Sequence, residues 1–149
     1  MLIYLDICCF NRPFDNQADL VVRFQTEAKL HVQDMIREGS LSLIWSAIMD
    51  VENSANPDVN RKVAIADWRQ FVVADVAVNE SVEMVAETLA KIGIKPMDAL
   101  HVDCAIEANA EYFLTTDTAL LRKMAKHDSI RVVDPVDFVR GLKDENNEN

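Results

Sequence analysis

At 149 residues, 50% of them hydrophobic and few of them Gly or Pro, the chain has the size and composition of one globular domain. No apolar run approaches the roughly 20 residues of a membrane span and no basic leader precedes MLIYLD, so a cytoplasmic protein without membrane contact is expected. A net charge of −10 argues against broad electrostatic capture by nucleic acid or anionic lipid, and three cysteines, two of them adjacent, argue against a disulfide framework.

MLIYLD reads as a first strand, nearly continuous in apolar character as in a parallel sheet covered on both faces. A long helix is expected over about residues 17–38, with Val21, Phe24, Ala28, Val32 and Met35 as its buried stripe and Gly39 as its stop. Leu30 and Val22 lie off that stripe, an excess that implies deep burial or a partner surface. LSLIWS is a second strand and residues 46–54 a short helix. RKVAIADWRQFVV reads as a helix, ADVAV as a third strand and SVEMVAETLAKIG as a further helix. Pro96 then opens the helix MDALHVDCAIEANA. YFLTT is a fourth strand, DTALLRKMAKH a helix, RVVD a fifth strand and PVDFVRGL a closing helix. This alternation predicts an α/β fold, a mainly parallel sheet of four to five strands with helices on both faces. It occupies residues 1–142 as a single domain, and 143–149 is expected to be a polar, disordered tail.

In open parallel sheets, functional groups collect beyond the carboxyl ends of the strands. Asp6 stands there after the first strand and Asp117 after the fourth, although Asp at either place is also a natural turn or helix cap. Asp98 lies in the first turn after Pro96, where the helix dipole alone favours an acid. Glu52 follows the second strand on a short helix; Asp50 is about 200° away around that helix, so one of the two faces the strand edge. Four segments thus deliver one acid each to the same edge, an arrangement suited to a hard divalent cation bound through oxygen. Asp103 sits about 140° from Asp98 on its helix and is expected on another face. His101 is one turn from Asp98 and reads better as a hydrogen-bonded core or surface residue than as a ligand. Other uses of a strand-end Asp fit poorly, since a DxD phosphatase motif is absent: Ile7 and Cys8 follow Asp6.

YLDICCFNR, the Glu52 segment, MDALHVDCAIEANAEYFLTTD and RVVDPVDFVRGL together resemble the PIN-domain family, metal-dependent ribonucleases that include VapC-type toxins. The resemblance implies a PIN-like three-layer sandwich in which Asp6, Glu52, Asp98 and Asp117 hold Mg²⁺ or Mn²⁺ and cleave RNA. It also implies a supporting hydroxyl at Thr115, a small antitoxin as partner, and a homodimer. Cys8 replaces the small hydroxyl residue common after the first Asp, and Thr116 replaces a common Asn; either change weakens a supporting hydrogen bond. Arg12, Arg122 and Lys123 lie near enough to the strand edge to be candidate substrate contacts. The rival reading is a PIN-fold metal-binding or protein-interaction module with little or no nuclease activity.

Overall fold

The computed structural model describes residues 1–147. Its strands are β1 (Leu2–Leu5), β2 (Ser42–Ser46), β3 (Val72–Val76), β4 (Tyr112–Leu114) and β5 (Arg131–Val133). All pair in parallel, in the order β3-β2-β1-β4-β5. The first strand is therefore central: the chain builds outward to β3 on one side, then crosses back to lay β4 on the other flank of β1. Such a reversal opens a crevice beyond the carboxyl ends of the strands beside it, here β1, β2 and β4. Side chains from both faces of β1 are fully buried, and Tyr4 stacks on Phe113 of β4 with ring centroids 5.2 Å apart.

The helices flanking this sheet are α1 (Ile7–Asn11), α2 (Leu20–Glu38), α3 (Ala47–Ser54), α4 (Val59–Ala66), α5 (Glu80–Lys91), α6 (Pro96–Glu107), α7 (Thr118–Met124) and α8 (Pro135–Asn147). Several differ from the sequence reading for local reasons. The long helix begins at Leu20 rather than near residue 17, because the Asp19 carboxylate accepts from the amides of Val21 and Val22 and fixes the start. Gly39 ends it in the left-handed region at φ 84°, as expected. The helix expected over RKVAIADWRQFVV tightens into a 3₁₀ turn at Asp67–Phe71, and β3 begins at Val72, two residues before ADVAV. The closing helix runs to Asn147, so residues 143–147 of the expected tail continue α8, whereas 148 and 149 lie outside the described residues.

The larger difference is the rotation of α2. Its buried residues are Gln25, Thr26, Lys29, Val32, Gln33 and Ile36, while Val21 and Phe24 of the expected stripe are 62% and 55% exposed. Two of the polar groups on the buried face, Gln25 and Thr26, find partners there, whereas Gln33 Nε2 is buried without one. Gln25 accepts from Arg12 Nε at 2.8 Å and donates to Asp134 at 2.6 Å, and Thr26 donates to the Arg12 carbonyl at 3.0 Å. A buried polar side chain with its bonds made costs little, and this leaves an apolar strip of the helix in solvent. Among the described residues, no helix is long and apolar enough to cross a membrane.

Candidate metal-binding site

Asp6 follows β1 directly and caps α1, one carboxylate oxygen accepting from the Ile7 amide at 2.8 Å. The other accepts from the Thr115 hydroxyl at 2.8 Å and from the Cys8 thiol at 3.4 Å. Its own amide donates to the Leu114 carbonyl at 2.9 Å, extending the β1–β4 pairing by one residue and fixing Asp6 beside the end of β4. Burial pushes the Asp6 carboxyl well up, with Cys8 and Glu52 adding to the rise and His101 and Thr115 opposing it. Cys8 also lies 3.4 Å from the Thr115 hydroxyl and accepts from the Thr116 amide at 3.3 Å. Its sulfur makes longer, softer bonds than an oxygen would. All three cysteines are unbridged.

Glu52 arrives on α3, whose start is capped by Ser46 accepting from the Met49 amide at 3.3 Å. Asp50 turns the other way, to Trp45 Nε1 at 3.0 Å and Arg69 at 3.1 Å. Glu52 Oε2 lies 2.7 Å from Nε2 of the fully buried His101. His101 Nδ1 lies 2.6 Å from the Tyr4 hydroxyl, which is 2.6 Å from the Ser46 hydroxyl.

Two proton arrangements satisfy this chain. With a neutral imidazole, ionised Glu52 can only accept, so Nε2–H donates to it, Tyr4 donates to Nδ1, and Ser46 donates to Tyr4. With an imidazolium, Nδ1–H donates to Tyr4, and Tyr4 donates to Ser46. Burial raises the Tyr4 phenol well above its ordinary value, so its proton stays available to either arrangement.

Among the described residues, the carboxylate and imidazole atoms close enough to share one ion belong to Asp6, Glu52 and His101, all within 4.8 Å of one another. Two buried or half-buried carboxylates at this separation repel unless a positive charge lies between or beside them, and the donor set suits a divalent cation. Asp98 and Asp117 meet in an adjoining crevice of about 10 Å³, lined also by Lys95 and Lys123. Burial raises the Asp98 carboxyl, Asp117 and Glu52 raise it further, and His101 and Lys95 oppose them. Asp117 caps α7 through one oxygen, which accepts from Ala119 at 2.9 Å and Leu120 at 3.2 Å. Thr115 ties the two crevices together, since its hydroxyl also accepts from the Asp117 amide at 3.1 Å.

Of the basic candidates, Arg12 is engaged by Gln25 and by Asp15 at 2.9 Å, and Lys123 donates to the Gly93 carbonyl at 2.6 Å. Arg122 is exposed on α7. Asp103 stands apart: burial and then Glu107 lift its carboxyl to about 6. The groups the sequence reading undervalued are His101, Tyr4 and Ser46. Tyr4 shares the strand face of Asp6 by the two-residue period, and His101 shares the helix face of Asp98 by the three-residue spacing.

No protein-family model matches the chain, and no curated protein matches it. Among solved structures, a chain in the crystal structure of VapBC2 from Rickettsia felis, bound to a DNA fragment from their promoter, superposes with a TM-score of 0.54. The match covers 89% of this chain and 97% of that one at 12% identity. At that identity the likeness speaks for architecture, and the architecture is the PIN-like α/β sandwich with five parallel strands flanked by helices.

Proposed function

We propose that this protein is a divalent-metal-dependent ribonuclease, the toxin half of a toxin-antitoxin pair acting in the cytoplasm. The observation that carries this reading is the convergence of Asp6 and Glu52, from different elements, on the crevice where the strand order reverses. Asp6 and Glu52 would hold Mg²⁺ or Mn²⁺, with Asp98 and Asp117 completing an acidic rim. When bound, the ion supplies a water of lowered pKa and charge neutralisation at a phosphodiester. The protein's own part is orientation. Thr115 and Cys8 fix one oxygen of Asp6, while His101 fixes one oxygen of Glu52.

The toxin assignment rests on the fold shared with the VapBC2 chain and on the apolar strip of α2. Leu20, Val21 and Phe24 are exposed there, a surface suited to a small antitoxin or a second copy of the chain. Leu30, on another face of the helix, is exposed as are Phe14, Val59 and Val63 of neighbouring segments. At a net charge of −10, any contact with promoter DNA would fall to the partner.

The test is cleavage of single-stranded RNA with Mn²⁺ or Mg²⁺, with chelator, and in Asp6→Asn. Cleavage lost in the last two supports the reading, and cleavage that survives both sinks it. The exposed apolar strip and the softer sulfur contact at Cys8 also favour the second reading, a PIN-fold interaction module. Tight Mn²⁺ binding without turnover on any RNA would select it.

A further inference from the structure

A cavity of about 200 Å³ lies between α1, α2 and α4, and none of Asp6, Glu52, Asp98 or Asp117 lines it. Most of its wall is apolar, with the rings of Phe10, Phe14 and Trp68 and the side chain of Ile65. The polar part comes from α2, where Lys29 and Gln33 stand one helical turn apart and both line the cavity.

Both of these side chains are buried, Lys29 at 4% and Gln33 at 2% exposure. Gln33 Nε2 has no acceptor. No hydrogen bond or ion pair among the described residues engages the Lys29 ammonium, which lies 5.3 Å from the centre of the Phe10 ring. The neighbours that act on its charge do not neutralise it. Arg37 has the same sign, pairs with Asp34 at 3.1 Å and places its guanidinium 4.7 Å from the centre of the Trp68 ring. The Cys9 thiol is driven up by burial and stays neutral. A buried charge and a buried amide donor without partners each cost stability, and here the two stand together on one cavity wall. Such a local conflict is expected where a site has a function.

We infer that this cavity binds a small monocarboxylic acid with an aromatic or aliphatic body. One carboxylate oxygen accepts from the Lys29 ammonium and the other from the Gln33 amide, while the body lies among the rings of Phe10, Phe14 and Trp68. One positive charge and two donors match a carboxylate. A phosphate dianion would bring further oxygens that the apolar walls leave unpaired. The size agrees, since a cavity of about 150 Å³ holds a benzene ring and one of about 200 Å³ has room for a carboxyl group as well. Both donors are almost fully buried, so the ligand must enter whole, which favours a free acid over a carboxylate carried on a partner's backbone. The inference does not depend on the ribonuclease reading.

The experiment titrates the full chain with benzoate, hexanoate and the neutral benzamide, followed by calorimetry and by tryptophan fluorescence, since Trp68 lines the cavity. Both acids should bind at one site, and benzamide should bind about tenfold more weakly, the loss of one charge-assisted contact. Lys29→Met, which keeps the length of the side chain, should weaken benzoate by about the same factor. Gln33→Leu should weaken it less, and Ala64→Leu, which fills the cavity, should abolish binding. Lys91→Gln, a loss of charge on α5, is the control and should bind as the wild type does. If Lys29→Met fails to fold by circular dichroism, Gln33→Leu and Ala64→Leu decide. Absence of binding by either acid at millimolar concentration overturns the site. Equal affinity for benzoate and benzamide overturns it, as does a folded Lys29→Met that keeps the wild-type affinity. Binding of a capped peptide with one aspartate between leucines, but of neither free acid, also overturns it and assigns the ammonium to a protein partner.

Discussion

His101 Nε2 stands 2.7 Å from Glu52 Oε2, across 49 residues of sequence, and this contact fixes the acid that α3 brings to the site. Behind it, Tyr4 and Ser46 leave the imidazole no other orientation in which both nitrogens are bonded. Tyr4→Phe removes the middle of this chain without touching Glu52 or Asp6. Partners that orient metal ligands are worth 10–100-fold in affinity or activity, so Mn²⁺ affinity measured by calorimetry should fall by about tenfold. An unchanged affinity would mean that Glu52 needs no such support.

The effect of Asp6 on stability has a definite sign. Burial raises its folded-state pKa above the unfolded value, so below the unfolded pKa both states are protonated and no penalty exists. As pH rises from there through the folded pKa, the unfolded chain releases its proton first and stability falls. Asp98 adds to the same trend. Metal-free protein should therefore melt at lower temperature as pH climbs out of the acid range, and Asp6→Asn should flatten that slope. Added Mn²⁺ should raise the melting temperature of the wild type and leave Asp6→Asn nearly unmoved. A wild type with no Mn²⁺ shift would remove the metal site.

The exposed strip of α2 gives a test that leaves the site alone. Phe24 is 55% exposed, so Phe24→Asp should change monomer stability by less than about 1 kcal/mol. If the strip is a contact surface, the same change should dissociate a homodimer or block a co-expressed antitoxin, read by light scattering and co-purification.

What could be read from the sequence was what local chemistry dictates. Asp6 and Asp117 each end an apolar strand and begin a helix, and both roles survive in the structure as carboxylate caps. Gly39 and Pro96 bound their helices for backbone reasons that need no tertiary context. The rotation of α2 was not legible, because Gln25, Thr26 and Gln33 look like surface residues until Arg12 and Asp134 arrive from elsewhere in the chain to bond the first two. His101 was legible as a hydrogen-bonded core or surface residue, which it is, but not as the partner of Tyr4 and Glu52. Its partners lie 97 and 49 residues away, and periodicity carries no information about partners at that range.

Lys29 is the clearest consequence of that rotation. It is 4% exposed on the buried face of α2, with its ammonium 5.3 Å from the centre of the Phe10 ring and no ion pair among the described residues. Burial lowers its pKa from 10.5 to about 8, with Cys9 opposing the fall and Arg37 adding to it. Below pH 8 the lysine is charged in both states, and the folded protein bears the full cost of burying it. Between about 8 and 10.5 the folded state sheds its proton while the unfolded chain keeps one, so this group adds stability as pH rises. The fall from 10.5 to about 8 corresponds to about 3 kcal/mol. Lys29→Met keeps the length of the side chain and removes the charge, so the variant should be the more stable at pH 7 by up to that amount. Its advantage over the wild type, measured by urea denaturation, should shrink as pH approaches 10.5. A constant difference across that range would show that the ammonium is solvated rather than buried.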